Sequence, residues 1–208
     1  MIRSYTTEYP NQVHQVVVSV SRHFFIKKDG GLAYQKKPIE TSPTKVGMLT
    51  RRHVVHYLVR DHFSGAFYAE IHPIDDMSDI AEFLYRAWSR KEVHPFCGIP
   101  DFITIAASVI ERFPRVQQLI HAYGIEFVKA TSGFQSGIRD LRTWEENIRG
   151  RLGLSHFDQL QGNAPALSRQ LCEGRFDKLA KWRDGMEQVR IPRNREEFIA
   201  AYHGKLTA

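Results

Sequence analysis

The chain has 208 residues, 42% hydrophobic and 25% charged, ordinary values that exclude a disordered tail, a collagen-like fibre and a disulfide-framed miniprotein. That length supports one large domain, or one domain with an appendix, without covalent staples. The net charge of +6 directs attention to polyanions once it is localised.

It can be localised. Between Arg22 and Arg60 nine basic residues face two acids, an excess of seven that is larger than the net charge of the whole chain. A second basic stretch, Arg169 to Arg195, has eight basic residues against four acids. Either a solvated surface or nucleic-acid contact accounts for such stretches. The two cysteines, Cys97 and Cys172, lack CxxC spacing and read as buried thiols of a reducing compartment. No apolar run is long enough to span a bilayer, and the polar residues Met1 to Gln12 are unlike a signal peptide. A cytoplasmic location, or a nuclear one in a eukaryote, is expected, with no membrane partner.

In chain order, Val13 to Val20 is β-branched and apolar at successive positions, the pattern of a central strand covered on both faces. Phe24 to Ile26 and Leu32 to Tyr34 flank a Lys-Lys-Asp-Gly-Gly turn, which predicts a hairpin with a basic tip. Pro38 to Pro43 is a loop, and strands are expected at Val54 to Val59 and Ala66 to Ile71. Helical spacing of Ile80, Phe83, Leu84, Ala87 and Trp88 predicts an amphipathic helix with Ser78 as its N-cap. Phe102 to Ala107 reads as a buried strand. Pro114 opens a helix with the stripe Val116, Leu119, Ile120 and Tyr123, stopped by Gly124, and Ile125 to Ala130 is a short strand. A polar loop, Thr131 to Gly137, precedes a long helix whose inner side is Ile138, Leu141, Trp144, Ile148 and Leu152. Helical pieces around Leu167 to Trp182 follow. A last helix, Glu196 to His203, is capped by Asn194 and stopped by Gly204. Phe83, Trp88, Tyr123 and Trp144 read as core.

This order, with local sequence, resembles the catalytic core of retroviral integrases and DDE transposases over roughly Pro10 to Leu152. His14-Gln15-Val16-Val17-Val18-Ser19 occupies the slot of the family's Trp-Gln-x-Asp-x-Thr. Arg60-Asp61-His62-Phe63-Ser64-Gly65 looks like a later strand segment, Gly98-Ile99-Pro100 like the Gly-x-Pro before the fourth strand, and Gly137-Ile138-Arg139-Asp140 like the Gly-x-x-Glu that opens a helix. The resemblance implies an α/β, ribonuclease H-like fold: a mixed five-stranded sheet flanked by helices over residues 1–153, with a helical C-terminal extension over 154–208.

The family displaces at phosphorus with two Mg²⁺-type ions held by three carboxylates, because hard cations need oxygen ligands. Carried over position by position, those carboxylates fall on Val17, Ala106 (Ala107 if the register slips) and Asp140. Two of three are hydrocarbons, so the resemblance implies a degenerate site with no metal or other cofactor expected. An active alternative recruits other acids, Asp61, Asp140 and Glu145 foremost and Asp101 and Glu146 beside them, and would use Mg²⁺ or Mn²⁺. Against it, Glu146 can pair with Arg142 and Glu145 with Arg149 at i,i+4 spacing. His53 and His56, near His62, sit on opposite strand faces and do not suggest zinc. No Gly-x-Ser-x-Gly elbow marks a nucleophile.

The expected function is therefore DNA binding or assembly by a catalytically dead integrase-like core. Phosphate contacts that position a duplex without reading its sequence would come from Lys27, Lys28, Lys36, Lys37, Arg51, Arg52, Arg139, Arg142 and Arg149. A homodimer is implied as possible by the resemblance. Two alternatives remain open: an active strand-transfer enzyme with shifted ligands, and a protein-interaction scaffold that binds no DNA.

Overall fold

The computed structural model describes residues 6–128, 136–151, 156–174, 177–185 and 188–205. Fourteen consecutive residues, Val13–Ile26, form one strand, β1, where the sequence suggests two. Its pairing slips between Val20 and Phe25. The Ser21 hydroxyl accepts from the amides of His23 (3.3 Å) and Phe24 (3.0 Å), so the irregularity leaves those donors satisfied and the strand continues through it.

β1 is the centre of a mixed six-stranded sheet, one strand more than expected because the hairpin partner β2 (Leu32–Tyr34) joins it. On one side β3 (Arg52–Asp61) lies antiparallel to β1, and β4 (Phe67–Pro73) antiparallel to β3. On the other side β5 (Phe102–Ile105) and β6 (Glu126–Phe127) run parallel to β1 and to each other. The hairpin tip is closed by Gly30 at φ +80°, with Lys27 N–H donating to the Gly31 carbonyl at 2.8 Å. Glycine adopts that backbone without a Cβ penalty.

Helices flank the sheet. α1 (Ile80–Trp88) is capped by Asp79, whose carboxylate accepts from Ala81 N–H at 2.8 Å. The cap is not Ser78, whose carbonyl receives the Tyr57 hydroxyl and whose Oγ receives Arg86. The strand expected to reach Ala107 stops at Ile105: the Ala106 carbonyl takes Val109 N–H (2.9 Å) and Ile110 N–H (3.2 Å) and starts α2 (Ala107–Arg112). α3 (Val116–Ala122) ends before Gly124 at φ +63°. α4 (Ser136–Arg149) begins inside the expected loop. Its inward face is Gly137, Asp140, Leu141, Trp144 and Ile148. Ile138, expected inward, is 52% exposed, because the face that steps through 137, 140, 141, 144 and 148 turns 138 outward. Residues 129–135 and Leu152 lie outside the described residues.

The C-terminal segment builds α5 (Phe157–Cys172), α6 (Lys178–Asp184) and α7 (Arg195–Tyr202), the last capped by Asn194. Phe157, Leu160, Trp182 and Phe198 belong to the same buried cluster as Val18, Leu58 and Ile103. α5 covers the outer edge of β4, where Phe67 N–H donates to Cys172 Sγ and that thiol donates to the Phe67 carbonyl, which blocks pairing by another strand. Both cysteines are buried, and burial pushes the Cys172 thiol up to about 12.

Candidate functional site

The parallel ladder of β1 and β5 ends at Val16 and Ile105, one residue before Val17, where β1 runs on beside β3, and Ala106, where the chain turns into α2. α4 approaches there: a Cβ on Gly137 would stand 3.4 Å from Val17 Cγ2. Asp140, one turn further along, is directed at a different rung. Its Oδ2 accepts from Arg60 Nε at 2.5 Å and its Oδ1 from Lys178 Nζ at 2.8 Å. Arg60 also donates to Gln15 Oε1 at 3.0 Å, and Gln15 and Arg60 are cross-strand partners. With side-chain exposures of 12% for both Asp140 and Arg60, this is a partly desolvated charge cluster in which each carboxylate oxygen has a cation.

These residues do not fit a pair of divalent ions. Val17 and Ala106 offer no oxygen ligand, and Asp140 is neutralised by the chain's own guanidinium and ammonium. The other acids are dispersed, each with its own partners. Asp61 accepts from Asn11 N–H (2.9 Å), Ser64 N–H (2.7 Å) and Ser64 Oγ (2.5 Å). Burial raises its carboxyl despite these bonds, and it holds the β3–β4 turn. Asp101 meets Tyr9 and Arg190. Among the described residues no three His, Cys, Asp or Glu side chains gather as a metal site.

Glu145 does not pair with Arg149, nor Glu146 with Arg142, among the described ion pairs. Trp144 Nε1–H donates to His56 Nδ1 at 3.2 Å, which leaves the imidazole Nε2 facing Glu145 Oε1, also at 3.2 Å. Burial works to raise the Glu145 carboxyl, and the facing His56, Ser21 and His23 together hold it below the usual range. Arg149 lies over the Tyr34 ring, 4.8 Å from its centroid. Arg142 and Arg149 border a cleft of about 190 Å³ with His23, Phe24, Tyr34 and both glutamates.

The basic residues expected to touch nucleic acid divide between places. Lys27, Lys28, Arg51 and Arg52 line one cleft of about 500 Å³. Lys37 lines an adjoining cleft of about 630 Å³ that shares Thr50 and Arg51 with the first. Arg142 and Arg149 sit at the smaller cleft on the α4 side, and exposed Lys36 and Arg139 line none of the three. Phe24 packs toward His56 and Tyr34, while the next residue, Phe25, meets His53 and lies under Arg51. Alternation along the strand thus puts the larger basic clefts on the face away from α4.

Within these clefts the charges are unequally available. Arg52 is held by Asp75 at 2.7 and 2.9 Å, and Lys27 has Asp29 at 3.6 Å. Arg51 donates to the neutral Gln35 Oε1 at 3.0 Å. Among the described residues Lys28, Lys37 and Arg51 have no carboxylate partner within 4.0 Å. Among the described residues the one acid lining these two clefts is Glu40, and it stands 3.8 Å from Arg22.

Sequence reasoning missed Arg60, Lys178 and Gln15. The basic excess flagged the first two only as surface charge, and their shared partner Asp140 is 80 and 38 positions away. No helix among the described residues is long and apolar enough to cross a membrane. No family model matches the chain, and no curated protein matches it.

Proposed function

We propose that this chain is a ribonuclease H-like, integrase- or transposase-core-like domain that binds DNA through phosphate contacts and does not perform metal-dependent strand chemistry. The strand order, an antiparallel β1–β3–β4 succession on one side of β1 and the parallel strands β5 and β6 on the other, beside the short antiparallel β2, supports the architecture. The Arg60–Asp140–Lys178 cluster supports the loss of ion binding. The observation that carries the binding reading is the convergence of five basic side chains on two contiguous clefts, three of them without an acidic partner.

Fluorescence anisotropy with labelled DNA oligonucleotides tests it. Three to five phosphate contacts give a duplex affinity that falls about 40- to 500-fold between about 50 and 200 mM salt. The same protein leaves supercoiled DNA intact with Mg²⁺ or Mn²⁺. Salt-independent binding defeats the phosphate reading, and divalent-dependent nicking that Asp140→Asn abolishes restores the enzyme.

A further inference from the structure

We infer that the paired clefts between the β1–β2 hairpin and residues 37–53 take a single strand of nucleic acid in preference to a duplex. The inference rests on the binding reading above and specifies its substrate.

Two properties of the surface carry it. The first is shape. A duplex is a stiff rod whose outer surface is phosphate, and it is served by cations on a flat or convex face. Here the cations border concavities of about 500 and 630 Å³ that meet at Thr50 and Arg51, a size range suited to groups that enter rather than lie across. A flexible strand can enter with its bases turned inward.

The second is what lies between the charges. Met48 is 81% exposed in the wall of the second cleft, beside Pro38 and Leu49. In the first, the Arg51 guanidinium lies over Phe25, 4.6 Å from the ring centroid. Its lower face is occupied by Phe25, and it offers a planar cationic surface to an incoming base. Phosphates of a duplex have no use for an exposed thioether or a guanidinium backed by an aromatic ring. Unpaired bases stack on such surfaces whatever their identity, while Lys28 and Lys37 remain free for the phosphates on either side. Arg52, held by Asp75, frames the first cleft as a wall.

Equilibrium anisotropy on the full chain with oligo-dT, oligo-U and a hairpin duplex of equal phosphate number decides it. The single strands are expected to bind at least 10-fold tighter than the hairpin, and equal affinity for oligo-dT and oligo-U would show that the ribose hydroxyl is not read. Arg51→Lys keeps the charge and removes the planar surface. It should erase most of the single-strand preference, lowering affinity for the single strands several-fold more than affinity for the hairpin. Thermal unfolding of the variant confirms that it is folded, and Met48→Ser offers a second, exposed substitution with the same expected direction. A hairpin bound as well as or better than the single strands overturns the inference and leaves the phosphate reading standing. No binding of any probe at low salt overturns both. An Arg51→Lys protein with unchanged preference overturns the assignment of the stacking surface.

Discussion

The two basic stretches look alike on paper and behave differently in the fold. In the C-terminal stretch five of the eight cations are committed to partners within the chain, while exposed Arg183 and Arg193 have none among the described contacts. Arg169 pairs with Glu173, Lys178 with Asp140, Arg190 with Asp101 and the Pro100 carbonyl, and Arg195 with Glu82, while Lys181 donates to the Phe63 carbonyl. These contacts brace α5 and tie α6, α7 and the segment between them to α4, α1 and the loops around the sheet. In the N-terminal stretch, Lys28, Lys37 and Arg51 border open clefts with no described carboxylate within 4.0 Å of them. Net charge thus says little about binding until each cation has been matched with its anion. A charge already neutralised by a neighbour contributes to architecture, and an unmatched one to the external field.

That contrast can be sharpened by placing beside it an ion cluster remote from both stretches. Glu70 accepts Tyr68 Oη, His72 Nε2 and two bonds from Arg86. Burial alone would raise its carboxyl, yet these donors bring it down from 4.5 to about 2. A depressed carboxyl stabilises the fold fully above its unfolded value and loses that stabilisation as pH falls from 4.5 toward 2. About 3 kcal/mol of stability is expected to disappear over that window, measured as denaturant midpoints against pH, and Glu70→Gln should flatten that part of the profile.

The committed region comes next. Asp140→Ala leaves Arg60 and Lys178 facing each other beneath partial cover, and we expect a loss of about 2 kcal/mol after allowing for their residual solvent access. The check is chemical denaturation, with DNA affinity unchanged within about twofold. If Asp140→Ala weakens DNA binding at full stability, the two regions are not separable as described. The smallest change in stability is expected in the open region. Lys28→Glu with Lys37→Glu should shift the unfolding free energy by less than about 0.5 kcal/mol while lowering DNA affinity at least 10-fold. A large stability change there would mean that these lysines have structural partners.

Much of the architecture could be read from residue order alone. β1, the hairpin turn, α1 and α7 carry strong local signals: contiguous β-branched residues, Asp-Gly-Gly, a 3.6-residue stripe, and Asn194 before an acidic first turn. Residue order is ambiguous where two local solutions compete. Ser78 and Asp79 both cap helices well, and the choice fell to Asp79 because Ser78 is engaged by Tyr57 and Arg86. Val17, Ala106 and Asp140 come from motif register, and the β1–β5 ladder stops at Val16 and Ile105, one residue short of the first two. What the third touches could not be read, because Arg60 and Lys178 reach it from remote positions and no periodicity encodes that meeting. The split of the nine candidate cations between faces was equally hidden. For the strand cations it follows from the slip in β1 near Ser21, where five steps along β1 meet two along β3, and an odd shift exchanges the faces of everything beyond it.

The hairpin tip does not stand alone. Gly31 forms an isolated bridge with His156, Phe157 N–H donates to the Gly30 carbonyl at 3.0 Å, and a Cβ at Gly30 would collide with the His156 ring at 2.6 Å. The beginning of α5 therefore acts as a strut for the loop that carries Lys27 and Lys28. A chain ending after α4 would retain every cleft-lining side chain yet leave that loop unbraced. α5 thereby governs the posture of a surface to which it contributes no lining residue.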